Sequence, residues 1–171
     1  DRPLSSVYFG GGTPSLLSGE QIKAILSDLP LKDNAEITLE INPIQINEPY
    51  LKDLQGSGIN RISLGVQSLI DSELKLLGRR HMSADIAPAL RLLKDHGFEN
   101  LSADLIYGLP DSKLSQLHTN LEMMLSLPVN HLSCYLLELP DTGPLAGYID
   151  QIPTDDVLAE QYHLIRKMAE A

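Results

Sequence analysis

Five short apolar runs recur along the chain, at Ser6 to Phe9, Glu36 to Ile41, Arg61 to Val66, Leu101 to Tyr107 and His131 to Leu137, and a segment with helical spacing follows each. Their starts lie about 25 to 40 residues apart, the length of one βα unit, so parallel strands joined by helical crossovers are expected. Helix punctuation agrees. Ser18, with Gln21 three residues on, forms a capping box ahead of Ile22, Ile25, Leu26 and Leu29, and Pro30 lies just beyond. A short helix fits Asn47 to Leu54, with Pro49 in its first turn and Gly56 and Gly58 closing it. Asp71 is expected to cap a third. Others are expected from about Ser83 to His96, where Pro88 implies a late start or a kink, from Asp111 to Leu127, and from near Thr154 onward.

Side chains alternate between the two faces of a strand, so the pattern inside each run separates a helix face from an axial face. Ile37, Leu39 and Ile41 oppose Thr38 and Glu40; Ile62, Leu64 and Val66 oppose Ser63, Gly65 and Gln67; Leu101, Ala103, Leu105 and Tyr107 oppose Ser102, Asp104 and Ile106. A closed (β/α)8 barrel fills its interior with bulky branched residues. The axial face here is small and polar, which describes a cavity for a polar ligand. Taken singly, Glu40 or Asp104 reads first as a buried, structurally paired carboxylate. Two on one face, toward the C-terminal ends where parallel α/β sheets place their sites, point instead to a ligand.

The first strand runs into Gly10, Gly11, Gly12, Thr13 and Pro14. Glycines there permit φ > 0 and leave backbone N–H groups open to a ligand, although such a turn alone reads as readily as a packing feature. Net charge narrows the choice of ligand. At −10, and without a Lys/Arg cluster among aromatics, the chain is not expected to bind nucleic acid. No apolar run approaches the roughly 20 residues of a membrane span, and no signal-peptide pattern opens the chain, so a cytoplasmic setting is expected. The single cysteine, Cys134, excludes an internal disulfide and cannot alone hold zinc or an iron–sulfur cluster.

The stretches YFGGGTPSLLS, TLEINP, GINRISLGVQS, LGRRH, DLIYGLP and HLSCYLLEL follow one another in this order. Together they resemble the radical S-adenosylmethionine (SAM) enzymes of the oxygen-independent coproporphyrinogen III oxidase family, from Val7 to about Tyr162. YFGGGTPS and the Arg-x-His of Arg79 to His81 are more similar to the family's haem-chaperone branch than to the true oxidase. The resemblance implies a partial (β/α)6 TIM-like radical SAM barrel, of which this chain supplies about five βα units. It also implies roles for particular residues. Gly11, Gly12 and Thr13 match the turn that binds the amino and carboxylate groups of SAM, and Glu40 matches the glutamate at its nucleoside end. Gln67, Arg79 and Asp104 match polar positions lining the same cavity, which in the true oxidase reach a second SAM. The stretch around Leu137 and Glu138 matches backbone on the adenine side.

One departure is large: the family's C-x-x-x-C-x-x-C loop, whose thiolates hold a [4Fe–4S] cluster, is absent. The expectation is an internal piece of a longer protein, a single incomplete core domain over residues 1–171, since Asp1 is no natural start and Ala171 interrupts a helical pattern. The cluster belongs to the longer parent, no catalytic residue is assigned here, and the piece alone is expected to be inactive. Cys134 reads as a packing residue. Haem is the further cofactor implied, and His81, beside Arg79 and Arg80 whose charges suit propionates, is the candidate ligand. A loop-ordering or capping role is the commoner one for such a histidine. His131 reads as structural, and His96, His118 and His163 fall in helices. Two functions follow from the resemblance: haem binding and delivery with SAM and cluster retained, or oxidative decarboxylation of porphyrinogen propionates. Expected partners are SAM and haem or porphyrinogen, with peripheral membrane contact left open for the parent. An unrelated phosphate-binding βα protein would explain the glycine turn alone.

Overall fold

A computed structural model describes residues 2–139, 142 and 145–170; Asp1 and Ala171 lie outside them. Five parallel strands, β1 (Leu4–Phe9), β2 (Leu31–Ile41), β3 (Arg61–Gln67), β4 (Leu101–Tyr107) and β5 (His131–Leu136), form one sheet in strictly sequential order. A doubly wound sheet reverses its strand order at one point and carries helices on both faces. Sequential order with right-handed crossovers instead sends every helix to the same face, and the sheet curls into a half-barrel.

The helices are α1 (Gly19–Ser27), α2 (Glu48–Leu54), α3 (Asp71–Leu76), α4 (Ile86–Asp95), α5 (Leu114–Leu125) and α6 (Asp155–Ala169). Ile37, Leu39, Ile62, Leu64, Leu101 and Leu105 are all buried and share one core with Ile22 of α1, Leu51 of α2, Leu90 of α4 and Leu121 of α5. The apolar parity of each strand therefore meets the helices, and its polar parity is left for the axis.

Local rules act where expected. Ser18 Oγ accepts from the Gln21 N–H at 3.2 Å while Gln21 Oε1 accepts from the Ser18 N–H at 2.9 Å, and Asn47 Oδ1 caps α2 by accepting from the Tyr50 N–H at 3.0 Å. Pro88 falls in the first turn of α4, after a short 3₁₀ turn at Ser83–Asp85. Several boundaries differ from expectation, β1 among them, which starts at Leu4. Strand β2 starts at Leu31, because Leu31 pairs with Leu4 although Lys32, Asp33 and Asn34 carry no apolar pattern. Helix α5 starts at Leu114, since Asp111 is held at φ 53° in a turn closed by the Ser112 N–H on the Leu109 carbonyl. Ile70, not Asp71, caps α3; Asp71 uses Oδ1 to accept from the Ser83 N–H at 2.8 Å. No helix among the described residues is long and apolar enough to cross a membrane.

Candidate cofactor site at the strand C-terminal ends

The axial face is built in layers. Nearest the N-terminal ends, Arg61 Nη1 donates to Thr38 Oγ1 at 3.2 Å, with both side chains buried. One layer up, Ser63 donates to Asp104 Oδ1 at 2.9 Å, Ser102 and Ser133 lie 3.4 Å apart, and Asp104 is paired across the ladder with Ser133. In register with Ser63, Glu40 stands one residue before the end of β2, beside the glycine turn. The Gly11 N–H donates to Glu40 Oε2 at 3.2 Å.

Burial lifts the Asp104 carboxyl above its usual range; the Ser63 and Ser133 hydroxyls oppose the rise, Glu40's charge adds to it and Arg61 counters it. Burial likewise pushes the Tyr8 phenol to about 12, with Ser63 opposing and Glu40 adding. Two carboxylates and a phenol thus share one face, with Arg61 and Arg79 as the cations near them. The cation at the mouth is Arg79, whose ionised form burial disfavours and whose Nε is buried without a hydrogen-bond partner.

Gly12, Glu40, Gly65, Gln67, Arg79 and Asp104 converge on a cavity of about 230 Å³, together with Ser15, Asn42 and Tyr135. A second cavity, of about 380 Å³, lies beyond Arg79 and takes Thr13, Leu16, Ile44, Arg80 and His81. Most of the sequence-derived set is therefore gathered in one place, with four differences. Gly11 lines neither cavity and turns its N–H to Glu40. Thr13 faces the second cavity. Glu138, exposed and just past the end of β5, lines neither cavity. His81 is 3% exposed and its Nε2 sits 3.0 Å from the Val66 carbonyl, an arrangement that orders the loop.

Hydropathy counts Tyr8 and Tyr135 with the apolar strands and so hides both. Parity marks both: Tyr8 pairs with Thr38, and Tyr135 follows Ser133 on the same face. Ser15 and Asn42 stand on short 3₁₀ turns after β1 and β2, where no periodicity reports on direction.

The residues present fit SAM but not the cluster. Gly11 and Gly12 sit at φ 75° and 54°, and an added Cβ at either would meet nothing within 4 Å, so the turn offers open backbone to a ligand's amino-acid end. Glu40 and Asp104 supply acceptors, and the orphaned Arg79 Nε supplies a donor for a carboxylate. Among the described residues no group of three or more His, Cys, Asp or Glu is placed to hold a metal. Cys134 is half-buried, and burial, with Asp104's charge adding, raises its thiol to about 11, which disfavours the thiolate a cluster needs.

Sequential parallel strands around a polar axis, with a glycine turn at their C-terminal ends, define a partial-barrel protein built to hold a polar cofactor. The chain belongs to the radical SAM superfamily, whose family model matches residues 1–124. Within it the chain is HemN/HemW-like. It is 38% identical, over 98% of its length, to the "Heme chaperone HemW" of Haemophilus influenzae, and 37% identical, over 92%, to that of Escherichia coli. The solved structure of coproporphyrinogen III oxidase (HemN) from Escherichia coli superposes with a TM-score of 0.78 at 27% identity, covering 98% of this chain and 41% of that one. The chain spans about half the length of the curated relatives it matches, 46% and 43% for the two named here.

Proposed function

We propose that this chain is the SAM-binding half-barrel of a longer, cytoplasmic haem chaperone of the HemW type. The observation that carries the reading is the convergence of Gly12, Glu40, Gln67, Arg79 and Asp104 on one polar cavity. The amino-acid end of SAM is assigned to the turn at Gly11 to Thr13, where backbone without Cβ atoms lets the ligand approach closely, and its nucleoside to Glu40, whose carboxylate accepts from ribose hydroxyls. Gln67 and Asp104 complete the polar wall, and Arg79 offsets the carboxylate charge. The [4Fe–4S] cluster is assigned to residues outside the described set and, when bound, supplies the electron for reductive cleavage of SAM. What these residues do is bind, orient and desolvate the cofactor. Two relatives named as heme chaperones match at 37–38% identity while the oxidase structure matches at 27%, which favours haem delivery over porphyrinogen decarboxylation.

Titration of the whole, anaerobically reconstituted protein with SAM and with haem, beside a porphyrinogen decarboxylation assay, tests the reading. Stoichiometric binding of both without decarboxylation is expected. Decarboxylation at enzymatic rates would transfer the protein to the oxidase branch, and absence of SAM binding would sink the assignment of the cavity.

A further inference from the structure

Asn120 sits on the inward face of α5 among Leu117, Leu121 and Met124, is 1% exposed, and touches no part of the cofactor cavity. Its amide is fully engaged by the turn between β3 and α3. Oδ1 accepts from the Leu69 N–H at 2.9 Å; Nδ2 donates to Ser68 Oγ at 2.9 Å and to Glu73 Oε2 at 3.0 Å. Ser68, itself fully buried, donates to Glu73 Oε2 at 2.6 Å and accepts from the Ile70 N–H at 2.9 Å. Burial raises the Glu73 carboxyl above its usual range, and the bonds from Ser68 and Asn120 oppose the rise. A leucine at 120 would suit the apolar face of α5 but leave a buried carboxyl, a hydroxyl and a main-chain N–H short of partners.

This cluster lies between two residues of the cavity. Gln67 immediately precedes it at φ 69°, a conformation that costs a residue with a side chain and persists where the surroundings over-determine it. The surroundings here do so: Ser68 donates its N–H to the Val66 carbonyl at 2.8 Å, and His81 meets the same carbonyl. At the far end, the Arg79 N–H donates to the Leu74 carbonyl at 2.9 Å, so α3, held at Glu73, sets where Arg79 starts. We infer that Asn120 is a positioning residue for the cofactor cavity: by clamping Ser68, Leu69 and Glu73 it holds Gln67 and Arg79 in place. The inference rests on the reading that this cavity binds SAM.

The test uses the whole reconstituted protein and two measurements, SAM affinity by isothermal titration and amide hydrogen exchange across residues 67–73. N120A is expected to speed exchange at Leu69 and to weaken SAM on the order of tenfold, the scale of one misplaced hydrogen-bonding group. Glu73→Gln, whose amide oxygen still accepts from both Ser68 and Asn120, is expected to keep wild-type affinity. In a Gln67→Ala, Arg79→Ala background, N120A is expected to cost less than about twofold more, because residues acting through one another are not additive. Unchanged affinity in N120A with exchange at Leu69 accelerated, or the full loss repeated in the double-variant background, would overturn the inference. If N120A does not fold, N120S, which keeps one acceptor, carries the same comparison. A wild-type protein that takes up no SAM overturns the cavity assignment itself, and then Gln67→Ala, Arg79→Ala has no binding to lose.

Discussion

The N–H of Gly11 donates to a carboxylate oxygen of Glu40 across 3.2 Å, which ties the turn after β1 to the end of β2. One side chain thereby shapes the backbone cradle and forms the cavity wall. Glu40→Gln keeps the shape and one acceptor, so SAM binding is expected to weaken by about 1–3 kcal/mol, the range of a charge-assisted hydrogen bond. Glu40→Ala also releases the turn and is expected to cost at least as much. Gly12→Val, which forces a β-branched residue into φ 54°, is expected to abolish measurable binding. Titration calorimetry of the whole protein, with circular dichroism as the fold control, reads all three. Unaltered affinity in both Glu40 variants would remove that residue from the site.

Asp104 is expected to oppose stability at neutral pH. Its folded pKa lies above the unfolded value of 3.8, so the native state holds the proton more tightly. Its contribution is therefore most favourable below that value and declines as pH rises from 3.8 through the raised folded value. Asp104→Asn keeps an acceptor for Ser63 and removes the buried charge; it is expected to raise Tm at pH 7 and flatten this part of the pH profile, while weakening SAM. Thermal melts between pH 4 and 8 decide it, and a variant that melts below wild type at pH 7 contradicts the account.

The parity of β2, β3 and β4 made the axial face legible because an apolar helix face and a polar cavity favour alternation over most of those strands. It was less legible where chemistry and hydropathy part company. Tyr8 and Tyr135 carry a polar hydroxyl on an apolar ring, and hydropathy counts only the ring. Thr13 and Glu138 lie beyond the strand ends, where direction is set by turn geometry that no period encodes; one faces the neighbouring cavity and the other faces solvent. Asn120 lay hidden in an apolar helical pattern, since one polar residue at an inward position signals only a buried partner. The lone Asn among Leu117, Leu121 and Met124 was the available clue.

His81 is expected to act on the fold and not on haem. Replacing it with Ala removes one of the two partners of the Val66 carbonyl, the Ser68 N–H remaining, and opens a void, at a cost of about 1–3 kcal/mol. Chemical denaturation is expected to show that loss while haem titration of the whole protein stays at wild-type stoichiometry. Loss of haem at unchanged stability would reverse the assignment.

This chain by itself is expected to assemble no [4Fe–4S] cluster, because a single half-buried thiol held above the usual cysteine range cannot replace three thiolate ligands. Anaerobic reconstitution with iron and sulfide followed by absorption spectroscopy is the measurement. A stoichiometric charge-transfer band would show that ligands were overlooked.

Because each strand pairs with the one that follows it in sequence, no strand pairing has to wait for a distant part of the chain. Chain closure between neighbouring strands costs little extra entropy at this spacing, and long-range parallel pairing is the step that ordinarily slows sheets of this kind. The sheet is therefore suited to growth in the order of synthesis: each completed βα unit lays its strand on the exposed edge of the last, and the cofactor face widens one wall at a time as the ribosome advances.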